Sequence, residues 1–230
     1  MPVATVLYVV TPIALFAALY FVFGYAEYEG TMLEVQKIFY FHVSSAFTAF
    51  TAFAVTCICS VAYLVKRRIK YDLFAAKSAE LGLIFCTIVL ATGPIWARSS
   101  WNTWWNWEPR LTSTLILWLT YVGYFILRTS VSTEQKERFA AVFGIVAFLN
   151  VPIVYYSVKI WQVGSLHPPT TTRSHLAESM IPAWLFSWLA LTLIYASLLK
   201  LNTGFAWAQY RLNKLQARTY PIADNLGNSI

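Results

Sequence analysis

Three histidines and a cluster of tryptophans are the side chains in this sequence best suited to chemistry. His42 stands in Phe39-Tyr40-Phe41-His42, His167 in Gly164-Ser165-Leu166-His167-Pro168-Pro169, and His175 follows eight residues later. Between the first two runs Trp101-Asn102-Thr103-Trp104-Trp105-Asn106-Trp107-Glu108-Pro109-Arg110. A neutral imidazole keeps one nitrogen lone pair for a metal. Haem iron takes such ligands above and below a flat ring. Two histidines from separate segments, with indoles between them, would suit a large flat ligand. The plainer reading is that each histidine only bonds a neighbouring carbonyl. Arg98 and Arg110 would suit a pair of carboxylates, because guanidinium and carboxylate match in geometry. Lipid headgroups or Glu108 would serve them equally well.

Four of the ten tryptophans fall within Trp101–Trp107. On a helix, positions 101, 104 and 105 share one face, so the segment is expected to lie along a membrane surface with its indoles inward. Tryptophan gathers at bilayer interfaces in any case. An aromatic belt and a binding platform both remain open on these residues alone. Glu108 suits a cap for the helix that follows, and Pro109 suits its first position.

The elements that must carry these groups are read from composition. Of 230 residues, 58% are hydrophobic and only 12% charged, about half the charge of a soluble domain. A water-soluble fold cannot hide so much apolar surface, whereas a bilayer can. Uncharged runs cover 1–26, 38–65, 81–97, 111–127, 139–158 and 179–199. They predict an all-α integral membrane protein, a bundle of six transmembrane helices whose outer loops form the pocket. The short third and fourth runs are expected to borrow a turn from their flanks. The first run lacks a basic leader and is too long for a secretory signal, so it reads as an uncleaved span.

Charge gives the orientation. Twelve of the seventeen basic residues fall after the second, fourth and sixth runs, and by the positive-inside rule that side faces the cytoplasm. Both termini are then cytoplasmic, and all three histidines face outward. The same rule accounts for the net charge of +7 without nucleic acid. Cys57, Cys59 and Cys86 lie in apolar stretches with no C-x-x-C pair, which suits filler rather than a disulfide or redox centre. Residues 1–205 read as one membrane domain, with the tryptophan-rich outer segment at 98–112. Residues 206–230 read as a loosely ordered cytoplasmic tail. No phosphate-binding loop is present, so the chain reads as a carrier rather than an enzyme, and ATP use would fall to another subunit.

The stretch W-N-T-W-W-N-W-E-P-R-L-T at Trp101–Thr112 resembles the signature of the haem-handling proteins of cytochrome c maturation. Within that group the chain is similar to the haem exporter protein C (CcmC) family. The likeness extends through Phe39-Tyr40-Phe41-His42-Val43, Asn150-Val151-Pro152-Ile153-Val154-Tyr155-Tyr156-Ser157-Val158 and Leu166-His167. The resemblance implies six spans in a bacterial plasma (inner) membrane and non-covalent haem b in an outward-facing pocket. Its axial ligands map to His42 and His167. Its platform maps to Trp101, Trp104, Trp105 and Trp107, with Glu108 at the acidic position and Arg98 and Arg110 beside it. It implies haem transfer to the chaperone CcmE, assisted by the ATP-binding cassette subunits CcmA and CcmB and by the small single-span CcmD. The chain departs from the family pattern at Asn102, Glu108 and Pro109, where glycine, aspartate and a small residue are usual.

Two other functions fit a polytopic chain with these residues. A permease subunit for haem or another apolar cargo would need ionisable groups within the spans, and the mid-span positions are nearly all apolar. A quinone-binding electron-transfer subunit would use histidine and tryptophan, but gives no reason for two outer histidines to flank one tryptophan loop.

Overall fold

The structure, a computed structural model, describes residues 3–28, 33–130, 135–161, 166–167 and 176–219. Helix α1 (Val3–Tyr20) ends in a π-helical turn, Phe21–Tyr25. A short 3-10 turn, Leu33–Val35, leads into α2 (Gln36–Lys66), and α3 (Ile69–Trp101), α4 (Pro109–Ser130), α5 (Lys136–Phe148), α6 (Asn150–Ile160) and α7 (Met180–Thr219) follow. Six helices are long and apolar enough to cross a membrane, with α5 and α6 together making the fifth, Lys136–Ile160. Among the described residues there is no strand. The all-α reading holds.

The break between α5 and α6 at Leu149 has an identifiable cause. Pro152 has no N–H to give to the carbonyl of Phe148, and its ring crowds that carbonyl. The turn tightens instead, with Leu149 N–H bonding Val146 O at 3.1 Å and Asn150 Nδ2 bonding Ala147 O at 3.3 Å.

Helices α2 and α3 form the central hairpin. Arg67 closes α2 in a left-handed conformation, its N–H on Tyr63 O at 2.8 Å. The two helices approach through small residues, as membrane helices do where dispersion and hydrogen bonds hold them. Ala49, Ala52, Ala75 and Ala79 are all buried. Gly82 marks the closest approach, since a Cβ there would stand 2.6 Å from the Phe53 ring. Phe53 in turn stacks on Tyr121 of α4, centroids 3.7 Å apart. Ser78 donates to Ala52 O at 2.7 Å and meets Tyr195 of α7 at the same distance.

Two sequence boundaries move. The third helix starts at Ile69, inside what reads as a charged loop, because its charges are neutralised locally. Asp72 is 3% exposed and takes a two-pronged bond from Arg128, at 2.7 and 2.8 Å. Lys77 pairs with Glu80 at 2.7 Å. The loose tail is corrected as well: α7 runs unbroken past residue 205 to Thr219. Ten of the fourteen residues from 206 to 219 are alanine, glutamine, leucine, lysine or arginine, all good helix formers. Residues 220–230 lie outside the described set.

Candidate functional site

One end of the bundle gathers the start of α2, the end of α3, the start of α4 and the segment before α7. His42 lies in the second turn of α2, and its Nδ1 stands 2.9 Å from Thr92 Oγ1 on α3. Thr92 spends its own hydroxyl hydrogen on Ile88 O at 2.7 Å. With that hydrogen on Ile88 O, the oxygen accepts from the Nδ1–H tautomer of His42, the form that keeps its lone pair on Nε2.

His167 reaches the same helix one turn further on. Its ring meets Trp101 edge to face at 5.0 Å between centroids and lies 6.3 Å from Trp96, and those two indoles form an edge-to-face pair at 4.8 Å. Thr92 and Trp96 are four residues apart on α3, hence neighbours on one face, about 6 Å between Cβ atoms. The two histidines thus contact successive turns of one helix face. Arg110 is a charged group near enough to bear electrostatically on His42.

Glu108 holds the second histidine. Its carboxylate, on a residue only 4% exposed, has Oε1 at 2.6 Å from His167 Nδ1, short but not aligned as a hydrogen bond. The same oxygen accepts Leu111 N–H at 3.1 Å. Glu108 therefore caps α4, with Pro109 as the first helical residue, as its position suggests. A carboxylate so close favours the imidazole proton on Nδ1 and turns the Nε2 lone pair away from the acid. Histidines that bind metals are commonly oriented in this way.

The tryptophan segment does not form the helix expected of it. Asn102 adopts a left-handed conformation (φ 56°) that ends α3, and Arg98 Nη1 fixes that end by bonding Asn102 O at 2.8 Å. Trp101, Trp104 and Trp105 therefore share no helical face. Trp101 joins Trp96 against His167. Trp105 meets Trp107 edge to face at 5.7 Å, while Trp104 and Trp107 are 60% and 74% exposed. Arg98 is exposed, whereas Arg110 is half-buried and lies near Glu108. Trp96 was not legible as a site residue because it sits inside an apolar run and reads there as span filler. His175, Pro168 and Pro169 lie outside the described residues.

Two imidazoles suit a ring-held metal better than a bare ion. Among the described residues no group of three or more His, Cys, Asp and Glu side chains comes together. The three cysteines are free.

Fold and site define a class: a six-helix membrane protein in which histidines from separate segments meet an indole-lined helix end. The chain belongs to the CcmC family, Heme exporter protein C, whose match covers residues 1–218. It is similar to the "Heme exporter protein C" of Bradyrhizobium diazoefficiens, 35% identical over 167 residues, 70% of this chain and 63% of that protein. The Rhodobacter capsulatus protein of the same name is 30% identical over 200 residues, 84% and 80% of the two chains. That of Escherichia coli K12 is 32% identical over 162 residues, 70% and 64%. The match to the Bradyrhizobium and Escherichia proteins thus spans less than two thirds of their length.

Proposed function

We propose that this chain binds haem b, without a covalent bond, at the outward-facing end of the bundle and presents it for assembly of c-type cytochromes. The observation that carries this reading is the convergence of His42 and His167 on successive turns of α3, with His42 Nδ1 2.9 Å from Thr92 Oγ1 and His167 Nδ1 2.6 Å from Glu108 Oε1. His42 and His167 are the axial ligands. Ligation from both sides leaves the iron no open position for oxygen, which suits a cargo that is to be handed on unchanged. Trp101 forms the wall beside His167. The exposed faces of Trp104 and Trp107, with Trp105 behind them, form a shelf for the ring and for the receiving partner. Arg110 and, at the rim, Arg98 meet the propionates.

The outward orientation is supported by the excess of basic residues at the opposite end. Both termini are then cytoplasmic, in a bacterial plasma membrane. Family membership supports transfer to CcmE, with CcmA, CcmB and CcmD as partners. A permease reading gains nothing from the structure, because the buried ion pair, Asp72 with Arg128, lies at the end of the bundle away from the histidines.

The test is the visible spectrum of the purified protein, alone and as His42→Ala, His167→Ala and His175→Ala. Bound haem with a low-spin spectrum is expected, changed in each of the first two variants and kept in the third. A spectrum unaltered by both His42→Ala and His167→Ala overturns the assignment.

A further inference from the structure

A cavity of about 710 Å³ opens between α4 and α6 beside the tryptophan segment, a volume typical of small-molecule sites. Polar groups stand at both ends of it, with Asn150 at the start of α6 forming the deep end, level with Thr120. At the outer end, Asn106 and Glu108 lie just before α4, Thr112 and Ser113 one turn into it and Ile116 a turn further, so along α4 the lining changes from polar to apolar over about 10 Å before Asn150 is reached. Ile153 of α6 faces the apolar part, and Trp161 and Trp107 stand at the rim, where aromatic residues mark the level of lipid headgroups.

Two polar atoms here are unaccounted for. Among the described residues, Asn106 Oδ1 and Thr112 Oγ1 are buried with no hydrogen-bond partner. Buried acceptors left so are rare and costly. Asn106 Oδ1 can only accept, so its missing partner is a donor. The Glu108 carboxylate beside it disfavours an anionic group at that spot, which argues against a haem propionate or a fatty-acid head.

We infer that this cavity binds one phospholipid whose headgroup donates hydrogen bonds. The head lies against Asn106 and Thr112, and an acyl chain runs down between Ile116 and Ile153. A primary ammonium fits best, since it supplies the N–H that Asn106 needs and is attracted to Glu108. A glycerol head supplies hydroxyl donors without that attraction. A quaternary ammonium has no N–H and leaves Asn106 Oδ1 unmet, although its phosphate could still accept from the Thr112 hydroxyl. The inference rests on the cavity alone and does not depend on haem binding.

The test uses the full chain in nanodiscs of equal parts phosphatidylethanolamine, phosphatidylglycerol and phosphatidylcholine. It reads which lipid stays bound when the protein is released into detergent for native mass spectrometry. Phosphatidylethanolamine is expected to be retained roughly five- to tenfold over phosphatidylcholine, the ratio that about one net hydrogen bond supplies, with phosphatidylglycerol between. Asn106→Leu and Thr112→Val should each shrink that preference. Ile153→Trp, on the other helix, should lower retention of all three by filling the acyl channel, which keeps the test open if the loop variants do not fold. Equal retention of phosphatidylethanolamine and phosphatidylcholine by the native chain means ordinary annular lipid and overturns the inference. A preference untouched by both polar variants overturns it too.

Discussion

The two ends of this bundle solve the same problem in opposite ways. At the end away from the histidines, α2 turns into α3 within two residues, and Asp72 and Arg128 satisfy each other through two bonds, with the Tyr124 hydroxyl accepting a third at 3.2 Å. At the other end the backbone from Asn102 to Glu108 is not helical, two indoles are exposed, and the imidazoles present Nδ1 to Thr92 and to Glu108. One end closes its polar groups on themselves, while the other leaves flat apolar faces exposed. On the proposed function, the first end serves stability and the second serves binding.

Variants that mix these properties break or sharpen the contrast. Asp72→Ala should have the largest effect on folding, because it leaves the Arg128 guanidinium buried without its counter-ion. A loss of about 3–5 kcal/mol in unfolding free energy is expected, read by denaturation in detergent micelles. Asp72→Leu with Arg128→Met should recover most of it, since an apolar pair of similar volume is often no worse than a buried ion pair. Were Asp72→Ala as stable as the native chain, the closed end would lose its structural role.

Glu108 sits on the boundary between the two behaviours, and its variants should separate them. Glu108→Ala removes the cap of α4 and is expected to lower stability by about 1 kcal/mol. Glu108→Gln keeps an oxygen for Leu111 N–H and should fold like the native protein. It should still weaken haem binding about tenfold and raise the haem reduction potential, because His167 loses the carboxylate that orients it and strengthens it as a donor. Equal haem affinity in Glu108→Gln and the native chain would reduce Glu108 to a helix cap.

The smallest change in stability belongs to the exposed indoles. Trp104→Ala and Trp107→Ala should stay within about 0.5 kcal/mol of the native chain. In a transfer assay to CcmE, Trp104→Ala and Trp105→Ala are expected to retain haem while delivering it poorly. Normal delivery by both would leave the segment an aromatic belt.

The spans were legible because hydropathy over about 20 residues needs no tertiary information. What escaped the sequence depended on pairing across helices. Asp72 looks like a loop residue until Arg128, 56 positions away, neutralises it. Pro152 lies in a run that reads as one uninterrupted span. Spacing placed Trp101, Trp104 and Trp105 on one face, and the left-handed Asn102 undid that geometry. The histidines were visible as candidates, whereas Thr92 and Trp96, which tie them to one helix face, were not. Each carries a signal only once its neighbour on another element is known.

Replacing each ligand with glycine and restoring it from solution tests the joint claim on His42 and His167 most directly. In His42→Gly and in His167→Gly the low-spin spectrum should be lost, and added imidazole should bring it back in both, since each substitution opens one side of the same iron. Retention of the native spectrum in either variant without imidazole would show that the missing side chain does not hold the iron, and would contradict the two-histidine clasp.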